Sequence, residues 1–334
     1  MTTRRWRWLA ALALVAFVTV FVWANRHEVP KTWRALVTAQ PLWCAAAAAV
    51  MLTWMVNDTL LQRATLRATG VELPVGKVAV GAAVAHFLNL TTKSAGMAGL
   101  AAMRAEARRA GMPERSVTAG YLLAGILTQL AFAVALAASI VVMAVGGRLT
   151  TAELGVTAVF ALYTGGQVLI MVTAARNRDR LRSVFRVPAR VVAFVRRKPP
   201  TDGFTRTDAA ADELFETFQK VRGSPRALAP AMIHALATEV IAVAILWSSA
   251  HAVGASVRPL DALVGYSVAG LFAIIGFLPS GFGFVEVSLG AVLVGYGAAA
   301  GTAAAAVLLF RVFELWLPVV IGAALARRLR VVHR

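Results

Sequence analysis

The chain has 334 residues, 59% of them hydrophobic and only 15% charged, a balance that excludes a soluble globular domain of this length. A formal charge of +18 would suit a nucleic-acid binder, but the Lys and Arg residues cluster in loops between long apolar runs. That is the pattern of a multi-pass membrane protein. One cysteine, Cys44, excludes an internal disulfide and any cysteine-based metal cluster.

The runs are continuous and rich in Ala, Leu and Val, so they predict helices rather than the short alternating strands of a barrel. The chain opens on RRWRW and an apolar stretch, read as an uncleaved signal anchor over about 8–24. A second span follows at about 42–60, with Asn57-Asp58 at its inner end, where interfacial solvation accounts for them. The next apolar arm, 76–91, makes roughly 22 Å of helix and is too short to cross comfortably. It runs into the polar stretch from Asn89 to Gly96, and a second arm, 97–110, leaves that stretch with a basic end. Full spans are predicted at about 117–146 and 152–174.

The segment 175–228 is the one sizeable polar piece, arginine-rich at first and broken at Lys198-Pro199-Pro200. Leu214, Phe215, Phe218 and Val221 then form a helical stripe, which predicts an amphipathic helix on the inner membrane surface. A span at about 229–252 precedes a second short pair, 262–279 and 283–297, and the last span covers about 303–326. Trp6, Trp8, Trp23, Trp33 and Trp43 flank spans and read as interface anchors, while His86 and His234 read as hydrogen-bonded helix contacts.

Charge decides how the short arms sit. If both pairs are re-entrant hairpins, 27 of the 34 Lys and Arg residues fall on one side and 5 on the other, leaving Lys93 and Arg311 within membrane segments. If 76–91 crosses alone, the 13 basic residues of 175–228 move outside, against the positive-inside bias. Taking every arm as a full span keeps the sides but needs spans of only about 15 residues.

Laying Gly96 over Gly283 places 76–146 on 263–326, with one hairpin entering from each side. That is an inverted repeat, an architecture of transporters that bind cargo near the midplane. The expected fold is all-α: one polytopic membrane helical bundle over 1–334, with two oppositely oriented re-entrant hairpins forming the repeat. The expected location is the cytoplasmic (inner) membrane, with both termini cytoplasmic.

Ionisable groups at membrane depth are costly and mark candidate sites. Lys93, Asn89, Ser94 and Gly96 at the first tip, Pro279, Gly283 and Glu286 at the second, and Arg311 in the last span are the expected substrate-binding residues. Broken helix ends offer N–H groups to a phosphate oxygen, Arg311 a bidentate fork and Lys93 a point charge. Glu239, Glu286 and Glu314 are the expected coupling or ion-pair residues. A purely structural alternative pins Arg311 on Glu314, Glu286 or Glu239 to hold helices together.

The run Pro279-Ser280-Gly281-Phe282-Gly283-Phe284-Val285-Glu286, followed by a span bearing Arg311, resembles the membrane domain of the lysylphosphatidylglycerol synthase/flippase family. The first repeat is similar by position, through Asn89, Lys93-Ser94-Ala95-Gly96 and the basic segment to Gly111, and the resemblance covers about residues 5–330. Where many members carry proline, Gly-Asp or Gly-Glu and then arginine in the first tip, this chain reads Thr92, Gly96-Met97 and Leu100. The resemblance implies movement of a lipid or lipid-linked substrate. The sequence ends at Arg334 without the family's soluble aminoacyl-transferring domain, so lipid aminoacylation gains no support from it.

The function expected is translocation of a lipid or lipid-linked substrate with an anionic headgroup, by a transporter rather than an enzyme. An integral membrane lipid-modifying transferase and a non-catalytic scaffold acting through 175–228 are the alternatives. Expected partners are membrane lipids and the substrate, with self-association left open. No nucleic acid, metal or other cofactor is expected.

Overall fold

The computed structural model describes residues 29–92, 94, 96–146, 158, 162, 165, 166, 176–196, 204–222, 225–275 and 279–329. The expected spans at 8–24 and, but for four isolated positions, 152–174 lie outside the described residues, as do Lys93 and the first three tryptophans. Among the described residues the chain is all-helical.

In chain order the helices are α1 (Val29–Val37), α2 (Pro41–Ala68), α3 (Val75–Thr91), α4 (Met97–Arg109), α5 (Glu114–Val145), α6 (Arg178–Arg196), α7 (Thr205–Arg222), α8 (Pro225–Ala252), α9 (Pro259–Ile275), α10 (Phe284–Gly295), α11 (Ala300–Arg311) and α12 (Leu317–Leu329). A 3₁₀ turn, Pro279–Gly281, precedes α10, and a π-helical turn, Val312–Trp316, joins α11 to α12. Among the described residues, four stretches are long and apolar enough to cross a membrane: Pro41–Ala68, Ser116–Val145, Arg226–Ala252 and Ala300–Arg327. Leu52, Val56, Val240 and Val320 stay exposed along them, a surface suited to lipid rather than water.

α2 and α8 pack lengthwise and form the centre. On one side, α9, α10 and α11 close a core around Met51, Leu246, Leu289 and Phe310. On the other, α3, α4, α5 and α12 close a second core around Val78, Val84, Met103, Val117 and Ala326. In a bilayer such contacts gain from close van der Waals packing and interhelical hydrogen bonds more than from leaving water. Small residues are therefore informative. A Cβ on Gly322 would collide with the Phe87 side chain and the Ala83 carbonyl, so only glycine lets α12 lie this close to α3.

Polar groups tie the centre together. Asn57 donates to the His234 carbonyl at 2.8 Å and to Thr238 Oγ1 at 2.9 Å, and its Oδ1 meets His234 Nδ1 at 2.8 Å. Asn57 is buried, so interfacial solvation does not account for it: its amide pairs with α8 instead. His234 is the hydrogen-bonded contact expected of it. Trp43 lies half-buried against Trp247 and His251, with ring centroids 5.2 and 5.0 Å away, and so serves internal packing, not only an interface.

The segment after 175 differs most from expectation. It holds two helices, α6 and α7, packed on each other. Leu181 and Phe185 of α6 and Ala211 and Phe215 of α7 pack onto Ala119 and Leu122 of α5. Phe215 is thus directed into the protein rather than onto a lipid surface. Arg182 pairs with Asp212 at 2.6 Å, Arg178 with Glu216 at 2.9 Å, and Arg186 with Asp208, latching the two helices.

Candidate functional site

Two helix–break–helix hairpins, α3–α4 and α9–α10, bring their tips together. The first is closed by Asn89. Its Oδ1 accepts the Gly99 N–H at 3.1 Å and its Nδ2 donates to the Tyr121 hydroxyl at 2.8 Å, fastening the tip to α5. A side chain at Gly99 would collide with both partners, so close approach demands glycine there. Thr91 and Thr92 donate to the carbonyls of Phe87 and Leu88, at 2.8 and 2.6 Å. Ser94 Oγ accepts the Ala98 N–H at 3.1 Å, satisfying an orphan donor at the start of α4. Gly96, at φ 84, makes the left-handed step into that helix.

The second tip is more constrained. Ser280 has φ 54, Gly281 φ 64 and Gly283 φ 82. A Cβ on Gly281 would lie 2.6 Å from Ala273 Cα and 2.9 Å from Val285 Cγ2, so both backbone angle and space require glycine. Ser280 Oγ donates to the Leu90 carbonyl at 2.9 Å, a direct hydrogen bond between the hairpins. Glu286 Oε2 accepts the Gly283 N–H at 2.6 Å, capping the first turn of α10.

Arg311 reaches into this junction from the end of α11. It is 5% exposed. Its Nε donates to Glu286 Oε1 at 2.7 Å, Nη1 to Glu314 Oε2 at 3.0 Å, and Nη2 to the Ser280 carbonyl at 2.7 Å. The Phe282 ring covers the guanidinium at 5.3 Å, and Trp316 meets that ring edge-on at 6.4 Å. Arg311 and Glu314 fall on one side because they are three apart, and the π-helical turn begins immediately after the arginine. Such turns recur at functional positions because the extra residue re-aims side chains.

The guanidinium therefore serves three elements: the tip of one hairpin, the first turn of α10, and the last rod. Two carboxylates surround one cation, so with all three ionised the cluster carries a net negative charge. An anionic oxygen gains access only by replacing a carboxylate on the fork or when a carboxylate takes a proton. This arrangement can exchange one anionic ligand for another without leaving Arg311 bare, the costly alternative in a medium of low dielectric constant.

Of the expected residues, Gly283, Glu286, Arg311 and Glu314 meet at this junction, with the backbone of Pro279 beside them in the 3₁₀ turn. Asn89, Ser94 and Gly96 build the first tip, where each bonds or shapes backbone; Lys93 lies outside the described residues. Glu239 does not join Arg311. It is buried and accepts the Tyr266 hydroxyl at 2.9 Å, so the Arg311–Glu239 pair is corrected to a Tyr266–Glu239 contact between α8 and α9. Ser280, Phe282 and Tyr121 were missing from the expected set. Ser280 and Phe282 stand inside the quoted motif, and their spacing between glycines was the available signal.

No curated protein matches the chain. Residues 8–322 match the family described as the lysylphosphatidylglycerol synthase TM region.

Proposed function

The chain belongs to the lysylphosphatidylglycerol synthase TM region family, a family of membrane proteins tied to lipid handling, and from that premise we propose that it translocates a lipid or lipid-linked substrate with an anionic headgroup. One observation carries this reading: a buried arginine, within a stretch long enough to span the bilayer, held by exchangeable carboxylates where two broken-helix hairpins meet. The hairpins act as oppositely oriented re-entrant elements in the cytoplasmic membrane, with both termini cytoplasmic. The headgroup phosphate takes the place of Glu286 or Glu314 on the Arg311 fork, while the acyl chains stay in the bilayer. The released carboxylate returns to the fork when the headgroup leaves, so Arg311 is never left without a counter-charge. Bidentate phosphate geometry suits arginine at this position.

The test is reconstitution into liposomes containing a fluorescent anionic lipid, with inner-leaflet label scored by protection from a membrane-impermeant quencher. Wild-type protein is expected to equilibrate label between leaflets, and Arg311→Gln and Glu286→Gln to lose that activity by at least tenfold. That is the consequence of removing about 1.4 kcal/mol or more of differential binding. Absence of translocation by the wild type, or wild-type rates in both variants, sinks the proposal.

A further inference from the structure

A second polar site lies away from Arg311. A cavity of about 200 Å³ opens between α2, α3 and α12, walled mostly by apolar side chains such as Val80, Ile321 and Leu325. Among the described residues its ionisable lining groups are Asp58 and His86. His86 Nε2 is buried and has no hydrogen-bond partner among the described residues, contrary to the bonded contact expected of this histidine. The Trp54 ring packs on the imidazole with centroids 4.7 Å apart. Gln62 follows Asp58 by one turn of α2, and its buried Oε1 and the buried Arg63 Nε, also without partners among the described residues, continue the polar run toward the end of the helix.

The surroundings leave His86 few other ionisable neighbours. α12 contributes Ile321 and Leu325 to the wall. α4 presents Glu106 against Gly81, more than a turn from His86, and holds it on Arg109 at 2.9 Å. α5 presents Tyr121, bonded to Asn89, and the second tip presents Ser280. A carboxylate and an imidazole with a free nitrogen, in a cavity of otherwise apolar walls, form a site for the smallest cation. Larger metal cations want several oxygen ligands, which this wall does not offer.

We propose that the Asp58–His86 cavity is a proton-binding site that couples proton movement to ligand exchange at Arg311. This rests on reading Arg311 as the translocation site. Asp58 and His86 together take up one proton through the opening of the cavity, the imidazole carrying it as an imidazolium across the cavity from the carboxylate, and release it on return. The link to Arg311 is short. Leu90 stands one helical turn, about 6 Å, beyond His86 on α3. Its carbonyl accepts Ser280 Oγ, and the Ser280 carbonyl accepts Arg311 Nη2. A change of charge at His86 that moves α3 thus acts on the backbone group that orients the fork. Ile321 and Leu325, on the same rod as Arg311, supply a second mechanical link.

Two measurements decide it. First, the full-length protein in nanodiscs is titrated from about pH 4 to 9 while tryptophan emission is followed, since a charged imidazole against the Trp54 ring alters its environment. A titrating component is expected in the wild type, absent in Trp54→Phe and His86→Gln, and moved in Asp58→Asn. No component that depends on His86 and Asp58 overturns the proton site, whatever the transport result. Secondly, translocation of labelled anionic lipid in liposomes is compared with and without an imposed pH gradient. The gradient is expected to change the wild-type rate several-fold, and in Asp58→Asn and His86→Gln the ratio of the two rates falls to one. An unchanged ratio in the variants, or no gradient effect in the wild type, overturns the coupling while leaving the Arg311 reading intact. Arg311→Gln should lose translocation and keep the Trp54 titration, which separates failure of the two readings.

Discussion

Arg311 is held by three acceptors pointing in three directions, a geometry that only a planar fork satisfies at once. Arg311→Lys keeps the charge and loses the fork, so translocation in the liposome assay is expected to fall nearly as far as in Arg311→Gln. Gly281→Ala adds a Cβ against backbone at a left-handed φ and should cost about 1–3 kcal/mol, read as a lowered unfolding temperature in detergent. Asn57→Ala removes an interhelical network and should cost roughly 0.6–1.7 kcal/mol in the same measurement. Charges at membrane depth were legible in sequence because hydrocarbon makes them conspicuous, which is why Glu286, Arg311 and Glu314 stood out. Which partner each takes was not legible. Glu239 turned to Tyr266 and Asn57 to His234 because helix rotation, set by packing around Met51 and Leu246, decides what faces what.

The short arms α3, α4, α9 and α10 were readable as elements, since a run below spanning length that ends in Asn, Thr, Ser and Gly has few other uses. α6 was not, because arginines interrupt its apolar residues. The signal was present in the arginines themselves: Arg178, Arg182, Arg186 and Arg190 recur every fourth residue and line one helix face. That face meets Asp208 and Asp212. Hydrogen bonds from Arg186 and Arg182 hold their carboxyl groups below the ordinary value of 3.8. A depressed carboxyl pKa adds stability that is complete above the unfolded value and disappears as pH falls through the folded one. The α6–α7 latch is therefore expected to be unaffected by pH above about 4 and to loosen below 3.8, seen as faster hydrogen exchange in 178–222 while α2 and α8 remain protected. Asp208→Asn and Asp212→Asn together should produce the same loosening at neutral pH. The effect is modest, because these side chains are partly solvent-exposed.

At the scale of the molecule, the proposed orientation rests on where arginine and lysine accumulate, and α6 tests it. With Cys44→Ser as background, a cysteine at exposed position Ser183 should react with a membrane-impermeant maleimide in inside-out vesicles and resist it in intact cells. Labelling from outside would overturn the proposed orientation. The two-core architecture was not legible in the sequence: the docking of α12 on α3 depends on Gly322, whose role appears only once Phe87 is opposite it.

The π-helical turn at Val312–Trp316 sets the phase between the two ends of the last rod. It absorbs one residue more than an ordinary turn, whereas one residue added to the regular helix that follows, between Leu317 and Ile321, would rotate everything beyond by about 100°. Arg311 would keep its address at the hairpins while Ile321 and Leu325 swung away from His86. One added residue would then act as a clutch, disengaging the cavity from the fork without altering a side chain in either.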